Sequence, residues 1–150
     1  MRIALVSCAL VGCAYRPGSF SFPPPSSGGQ QVTVGCLDVA IHRRADGALG
    51  PVLGFQFANR CDRPVIVDFA AMVVTGRDAQ GGELALRPYD PHREVRPLLL
   101  DGRNVGAEAL LYVADRAVPQ VCVDAAGLVH AAPPSWQCFG SPAVRIGRQP

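Results

Sequence analysis

Apolar residues alternate with polar or small ones along most of this chain, and a turn signal breaks the alternation about every 10 residues. That pattern leaves little to build except short β-strands. Leu37, Val39 and Ile41 alternate with Asp38, Ala40 and His42, and Leu53, Phe55 and Phe57 alternate with Gly54, Gln56 and Ala58. Val65, Val67, Phe69, Ala71 and Val73 share one face of a longer run, with Asp68 on the other. Leu84 and Leu86, Leu98 to Leu100, Ala109 to Val113, and Val121 to Val123 complete the series. Between them stand Ala45-Asp46-Gly47, Asn59 to Pro64, Gly76 to Gly82, Asp90-Pro91 and Asp101 to Asn104. Gly, Pro, Asp and Asn are frequent there because they supply the backbone angles and local hydrogen bonds that reverse a chain.

Helical periodicity is weak. The best helix candidate, Val105 to Val113, is short and suits a strand nearly as well. Val32 and Val34 sit at even positions and the apolar residues after Gly35 at odd ones, a phase change that predicts a bulge or bend at Gly35. Seven or eight short strands separated by turns read as all-β, specifically an antiparallel immunoglobulin-like β-sandwich spanning 31–140. The Cys-Trp-Cys spacing of antibody domains is missing. The sole Trp, Trp136, stands beside Cys138 and is expected, with Phe139, to close the end of the core.

The first 30 residues follow a different logic. One Arg, Arg2, precedes the apolar run Ile3 to Val11, which suits a secretory leader and is too short to span a bilayer. The run ends in Leu10-Val11-Gly12-Cys13, an order that resembles the lipobox of bacterial lipoprotein precursors. The resemblance covers only these residues. It implies a signal peptide over 1–12, cleavage between Gly12 and Cys13, and a diacylglycerol on the Cys13 thiol. The mature chain would then hang from a membrane by covalent lipid, and multiple acyl chains make such anchors stable. Ala14 follows the Cys where inner-membrane lipoproteins of many Gram-negative bacteria carry Asp, so the resemblance points to the outer membrane. Residues 13–30 read as lipidated Cys and tether, because 11 of the 13 residues from Pro17 to Gly29 are Pro, Ser or Gly. Residues 141–150 read as a C-terminal tail.

With Cys8 in the leader and Cys13 lipidated, Cys36, Cys61, Cys122 and Cys138 remain. An even number in an exported domain reads as two disulfides, with three possible connectivities. The turn-rich stretch from Ala45 to Pro51 would fold Val32–His42 against Val52–Asn59 and bring Cys36 close to Cys61. Cys122 and Cys138 likewise flank a Gly- and Pro-containing excursion near His130. Cys36–Cys61 and Cys122–Cys138 are therefore the expected pairs, each stabilising by roughly 2–4 kcal/mol. A zinc site would need closer Cys pairs than these, and no redox C-x-x-C is present.

Charge excludes some partners. The chain has 14 Arg, no Lys and 12 acids, so its formal net charge of +2 falls to about +1 without Arg2. No basic stripe for nucleic acid or anionic lipid is visible.

Catalytic patterns are absent. Serine does not occur between residues 28 and 134, and neither Ser135 nor Ser141 has a Gly-x-Ser-x-Gly setting. His42, His92 and His130 stand singly, and no metal or cofactor is expected. Gly81-Gly82 belongs to a hairpin turn, with no phosphate-cradling pattern. Asp90 and Glu94 imitate a glycosidase carboxylate pair, but Arg93 and Arg96 beside them would lower both pKa values.

The segment Arg87 to Pro97 gathers Arg87, Tyr89, His92, Arg93 and Arg96, residue types favoured at interfaces. It is the candidate partner-binding loop. The expectation is a lipid-anchored envelope protein without catalytic activity, a binding or scaffolding module that engages an envelope protein. The alternatives are a glycan- or small-molecule-binding domain at the periplasmic or outer surface, and an enzyme inhibitor.

Overall fold

A computed structural model describes residues 30–89 and 95–141. Ten strands follow in chain order: β1 Gln30–Val34, β2 Leu37–Arg43, β3 Val52–Asn59, β4 Val65–Val67, β5 Val74–Arg77, β6 Glu83–Pro88, β7 Leu98–Leu100, β8 Val105–Val113, β9 Gln120–Asp124 and β10 Trp136–Gly140. One 3-10 turn, Ala125–Val129, lies between β9 and β10. Every ladder is antiparallel.

The fold is all-β, but the strands do not divide into two separate sheets. Eight of them form one continuous sheet in the order β1-β2-β3-β8-β6-β5-β9-β10, while β4 and β7 pair apart as a ribbon. The halves β1-β2-β3-β8 and β6-β5-β9-β10 meet through only two pairs, Arg87 with Val113 and Pro88 with Tyr112. At the far edges, the Gln30 side-chain amide donates to the Cys138 carbonyl at 3.2 Å. The sheet thus nearly comes round on itself, and its inner face encloses one core. Leu37, Val39 and Ile41 from β2, Phe55 and Phe57 from β3, and Val121 and Val123 from β9 are buried there, with Phe69 and Phe139. The Phe55 and Phe57 rings stack at 6.0 Å, and Phe69 meets both.

Three expectations need correction. The phase change at Gly35 reflects a tight hairpin, not a bulge: β1 and β2 pair directly, and Gly35 takes a left-handed φ of 57°. The run from Val65 to Val73 is no single strand. The Asp68 carboxylate accepts hydrogen bonds from the N–H groups of Ala70 and Ala71, and that local capture starts a turn after β4. Trp136 does not close the core. Phe139 is buried, whereas Trp136 is 48% exposed on the opposite face of β10.

Disulfides join Cys36 to Cys61, with Cα atoms 5.4 Å apart, and Cys122 to Cys138, with Cα atoms 4.0 Å apart. Two buried polar side chains fasten loops to this frame. Arg43 sends its guanidinium to both Asp46 carboxylate oxygens and to the carbonyls of Val118 and Pro119. Asn59 donates to the carbonyls of Arg63, Leu100 and Asp101 and accepts from the Cys61 N–H.

Candidate functional site

The residues singled out in the sequence fall in different places. Cys13 lies outside the described residues, as do His92, Arg93, Asp90 and Glu94 of the candidate loop. Arg87 is exposed at the end of β6, Tyr89 is exposed just beyond it, and Arg96 is exposed before β7. The Tyr89 N–H donates to the Leu111 carbonyl at 2.7 Å, so the loop departs from the junction of the two sheet halves.

Groups with shifted proton affinity do not gather at one point among the described residues. Burial, with Arg44 adding to it, pushes the His42 imidazole down. Burial pushes the Tyr112 phenol up within the core. The Arg103 and Arg116 guanidinium groups hold the exposed Asp62 and Asp115 carboxyls low. His130 stands 3.2 Å from Asp68, on another part of the surface. No group of three or more potential metal ligands occurs among the described residues.

Two depressions stand out among the described residues. One, of about 290 Å³, lies between the turn 46–51 and the segment 114–118. Its charged groups are already engaged, Asp46 by Arg43 and Asp115 by Arg116.

The other, of about 250 Å³, lies on the outer face of β6-β5-β9-β10 and is lined by Thr75, Arg77, Glu83, Cys122, Trp136 and Cys138. Strand alternation puts them together. In β5, Val74 and Gly76 are buried while Thr75 and Arg77 turn outward. In β9, Val121 and Val123 are buried, leaving Cys122 outside. Register then aligns the outward residues: Arg77 opposite Glu83, Thr75 opposite Cys122, and Cys122 opposite Cys138.

Local chemistry fixes that register. Asp78 Oδ1 accepts from the N–H groups of Gln80 and Gly82 at 3.0 and 2.7 Å, which closes the hairpin that sets Arg77 against Glu83. Asp124 Oδ1 accepts from the N–H groups of Ala126 and Ser135 at 3.1 and 2.7 Å. One carboxylate thus begins the 3-10 turn and fixes the entry to β10, placing Trp136 beside Asp124 in the ladder.

The polar groups at this depression are unspent. Among the described residues, Thr75, Arg77 and Glu83 make no side-chain hydrogen bond, and Arg77 and Glu83 close no ion pair within 4.0 Å. A half-exposed indole, a guanidinium, a carboxylate and a hydroxyl therefore surround one small space over a disulfide floor. Such a set can stack and hydrogen-bond a ligand. The sequence reading missed Thr75, Arg77 and Glu83. Their signal was the alternation within Val74 to Arg77 and the symmetric position of Arg77 and Glu83 about the Asp78 turn.

Comparison with family models, with curated proteins and with solved structures finds no match. Any function assigned to the chain therefore rests on its own residues and geometry.

Proposed function

We propose that this chain is a lipid-anchored envelope protein whose β domain acts by binding and not by catalysis. The observation that carries the binding role is the cluster of unspent polar side chains around half-exposed Trp136. Arg77 and Glu83 are exposed, so water completes their hydrogen bonds until a ligand replaces it. The anchor rests on the Leu10-Val11-Gly12-Cys13 resemblance, with the outer membrane as its site. Residues 13–29 serve as the tether, one residue shorter than the sequence suggests, because Gln30 already pairs in β1.

In layering the domain is an immunoglobulin-like sandwich, a reading supported by two four-stranded halves whose apolar faces share one core. The exposed Arg87, Tyr89 and Arg96 offer a second surface for an envelope protein partner, with His92 and Arg93 between them in the sequence. Among the described residues, His42 and His130 sit on different elements and the two lowered carboxyls each face an arginine, an arrangement that supports a role without chemistry.

Mass spectrometry of the product purified from membranes tests the anchor. The expected species begins at a Cys13 carrying diacylglycerol; an intact leader with a free thiol sinks this reading. Cross-linking from Tyr89 and from Gln120, on the two surfaces, tests the binding role in whole envelopes. A domain that stays uncross-linked at both positions is not a binding module.

A further inference from the structure

We infer that the depression on the outer face of β6-β5-β9-β10 is a binding site for a neutral saccharide, with one pyranose ring stacked on Trp136. The inference rests on the binding role proposed above and names the ligand class for that site.

Size sets the first limit. At about 250 Å³ the space is smaller than the roughly 300–1,000 Å³ clefts that bury drug-sized ligands, so it admits one small ring. Further units of an oligosaccharide would lie along the open sheet surface.

Charge sets the second limit. Arg77 and Glu83 face each other across the β5–β6 ladder, so the site carries one positive and one negative group. Their sum is neutral. A phosphate or sulfate would gain from Arg77 and be repelled by Glu83, and an ammonium group would meet the reverse. A polyol satisfies both, because each hydroxyl donates and accepts: Arg77 donates to one oxygen, and Glu83 accepts from a neighbouring O–H. Thr75 can do either.

Surface character sets the third limit. A pyranose is amphipathic, with C–H groups on one face and hydroxyls around its rim. Half-exposed Trp136 lines the same depression as Thr75, Arg77 and Glu83, and an indole presents an apolar π-face suited to such C–H groups. A protein interface would instead want a core depleted of charge and about 800 Å² per partner. Here charged groups share the depression with Trp136, the only aromatic among its described lining residues.

Preorganisation completes the argument. The Cys122–Cys138 bond lies between Thr75 and β10 and holds the floor of the site. Asp78 fixes the turn that presents Arg77 and Glu83, and Asp124 fixes the strand that presents Trp136. The backbone of the site is thus fixed in advance, and only the side chains of Arg77, Glu83 and Trp136 remain to be ordered when a ligand arrives.

Trp136 is the only tryptophan of the chain, so its fluorescence reports this site alone. The test titrates the purified full chain, in a detergent without a sugar headgroup, with cellotriose, chitotriose, maltotriose and laminaritriose. Inorganic phosphate serves as the anionic control. The expected result is a saturable change in emission with at least one trisaccharide and none with phosphate. Calorimetry with that trisaccharide should then show affinity falling at least about tenfold in Trp136→Ala, and measurably in Arg77→Ala and Glu83→Gln. Trp136→Phe should recover part of the loss. Circular dichroism and thiol counting confirm that each variant keeps its fold and both disulfides. Silence from all four trisaccharides, or undiminished binding by folded Trp136→Ala, overturns the inference. If the sugars are silent but the Gln120 cross-linker captures an envelope protein, the saccharide assignment fails and the binding role stands. If nothing binds at either surface, both fail.

Discussion

The side-chain amide of Asn59 donates to the Leu100 carbonyl at 3.1 Å, and this buried bond ties the β4–β7 ribbon to the end of β3. The same nitrogen reaches the carbonyls of Arg63 and Asp101, and the amide oxygen receives the Cys61 N–H. One residue thus satisfies four backbone groups where the Cys36–Cys61 bridge enters.

Replacing Asn59 should therefore cost more than a typical polar substitution. Asn59→Leu removes these bonds, and although the Asp101 carbonyl keeps the Asn104 N–H, the others cost about 1–3 kcal/mol for each one that water cannot reach. We expect a loss of about 3 kcal/mol or more in urea unfolding. Asn59→Asp, nearly equal in shape, should be comparably damaging because it turns the donor into an acceptor aimed at three carbonyls. A loss below about 1 kcal/mol in both variants would contradict this role.

Arg43 gives the second prediction. It is only 4% exposed and holds Val118 and Pro119 as well as Asp46. Asp46 remains partly in water, so the ion pair itself contributes less than a fully buried one. Arg43→Met should destabilise by about 1–3 kcal/mol, mainly through the stranded Val118 carbonyl, because the Pro119 carbonyl keeps the Ser141 N–H. Arg43→Lys should recover only part of this, since an ammonium cannot reproduce the planar fork. Chemical denaturation of the two variants measures both effects.

His42 makes stability depend on pH. A Cβ at Gly54 would stand 2.5 Å from the His42 ring, so the imidazole rests against bare backbone and is partly removed from water. Its folded pKa lies below the ordinary 6.5, with burial the larger cause and Arg44 the smaller. The unfolded chain therefore takes up the proton first. The His42 contribution is fully present above 6.5 and is lost as the pH falls from there through the folded value. Thermal unfolding should show a declining midpoint over that window, and His42→Gln should flatten the decline. An NMR titration placing His42 at or above 6.5 would refute the assignment.

The two disulfides should contribute similarly. They close loops of 25 and 16 residues, and chain-entropy arguments give each about 3–4 kcal/mol. Cys36→Ala with Cys61→Ala, and Cys122→Ala with Cys138→Ala, should each lower stability by about that amount in denaturant titrations. Equal midpoints for the wild type and either double variant would contradict it.

Much of the architecture could be read from period-2 alternation. That pattern located β2, β3, β6, β9 and the 109–113 part of β8, where apolar residues recur at every second position, although β3 is buried on both faces and only Tyr112 of β8 is buried. It failed where local side-chain chemistry overrode it, at Asp68, whose carboxylate turns the chain after β4. It also missed β10, where Trp136 looked like core until alternation with Phe139 placed it outside. The joining of the two halves into one sheet rests on two residue pairs, too few to leave a periodic trace. The candidate site was the least legible part. Thr75, Arg77 and Glu83 are ordinary surface residues in sequence and become a group only through the registers of β5, β6 and β9.

The Cys36–Cys61 bridge has a mechanical consequence. Tension arriving from upstream of Gln30 would load β1 first, and β1 is laddered only to β2. It can unzip as far as the turn at Gly35. The next residue, Cys36, is covalently joined to Cys61 just past the end of β3. Traction is diverted there along a bond that does not yield to thermal forces. Pulling on Gln30 would therefore lengthen the domain by one strand before the bridge takes the load, and would break the Gln30–Cys138 bond that links β1 to the strand bearing Trp136.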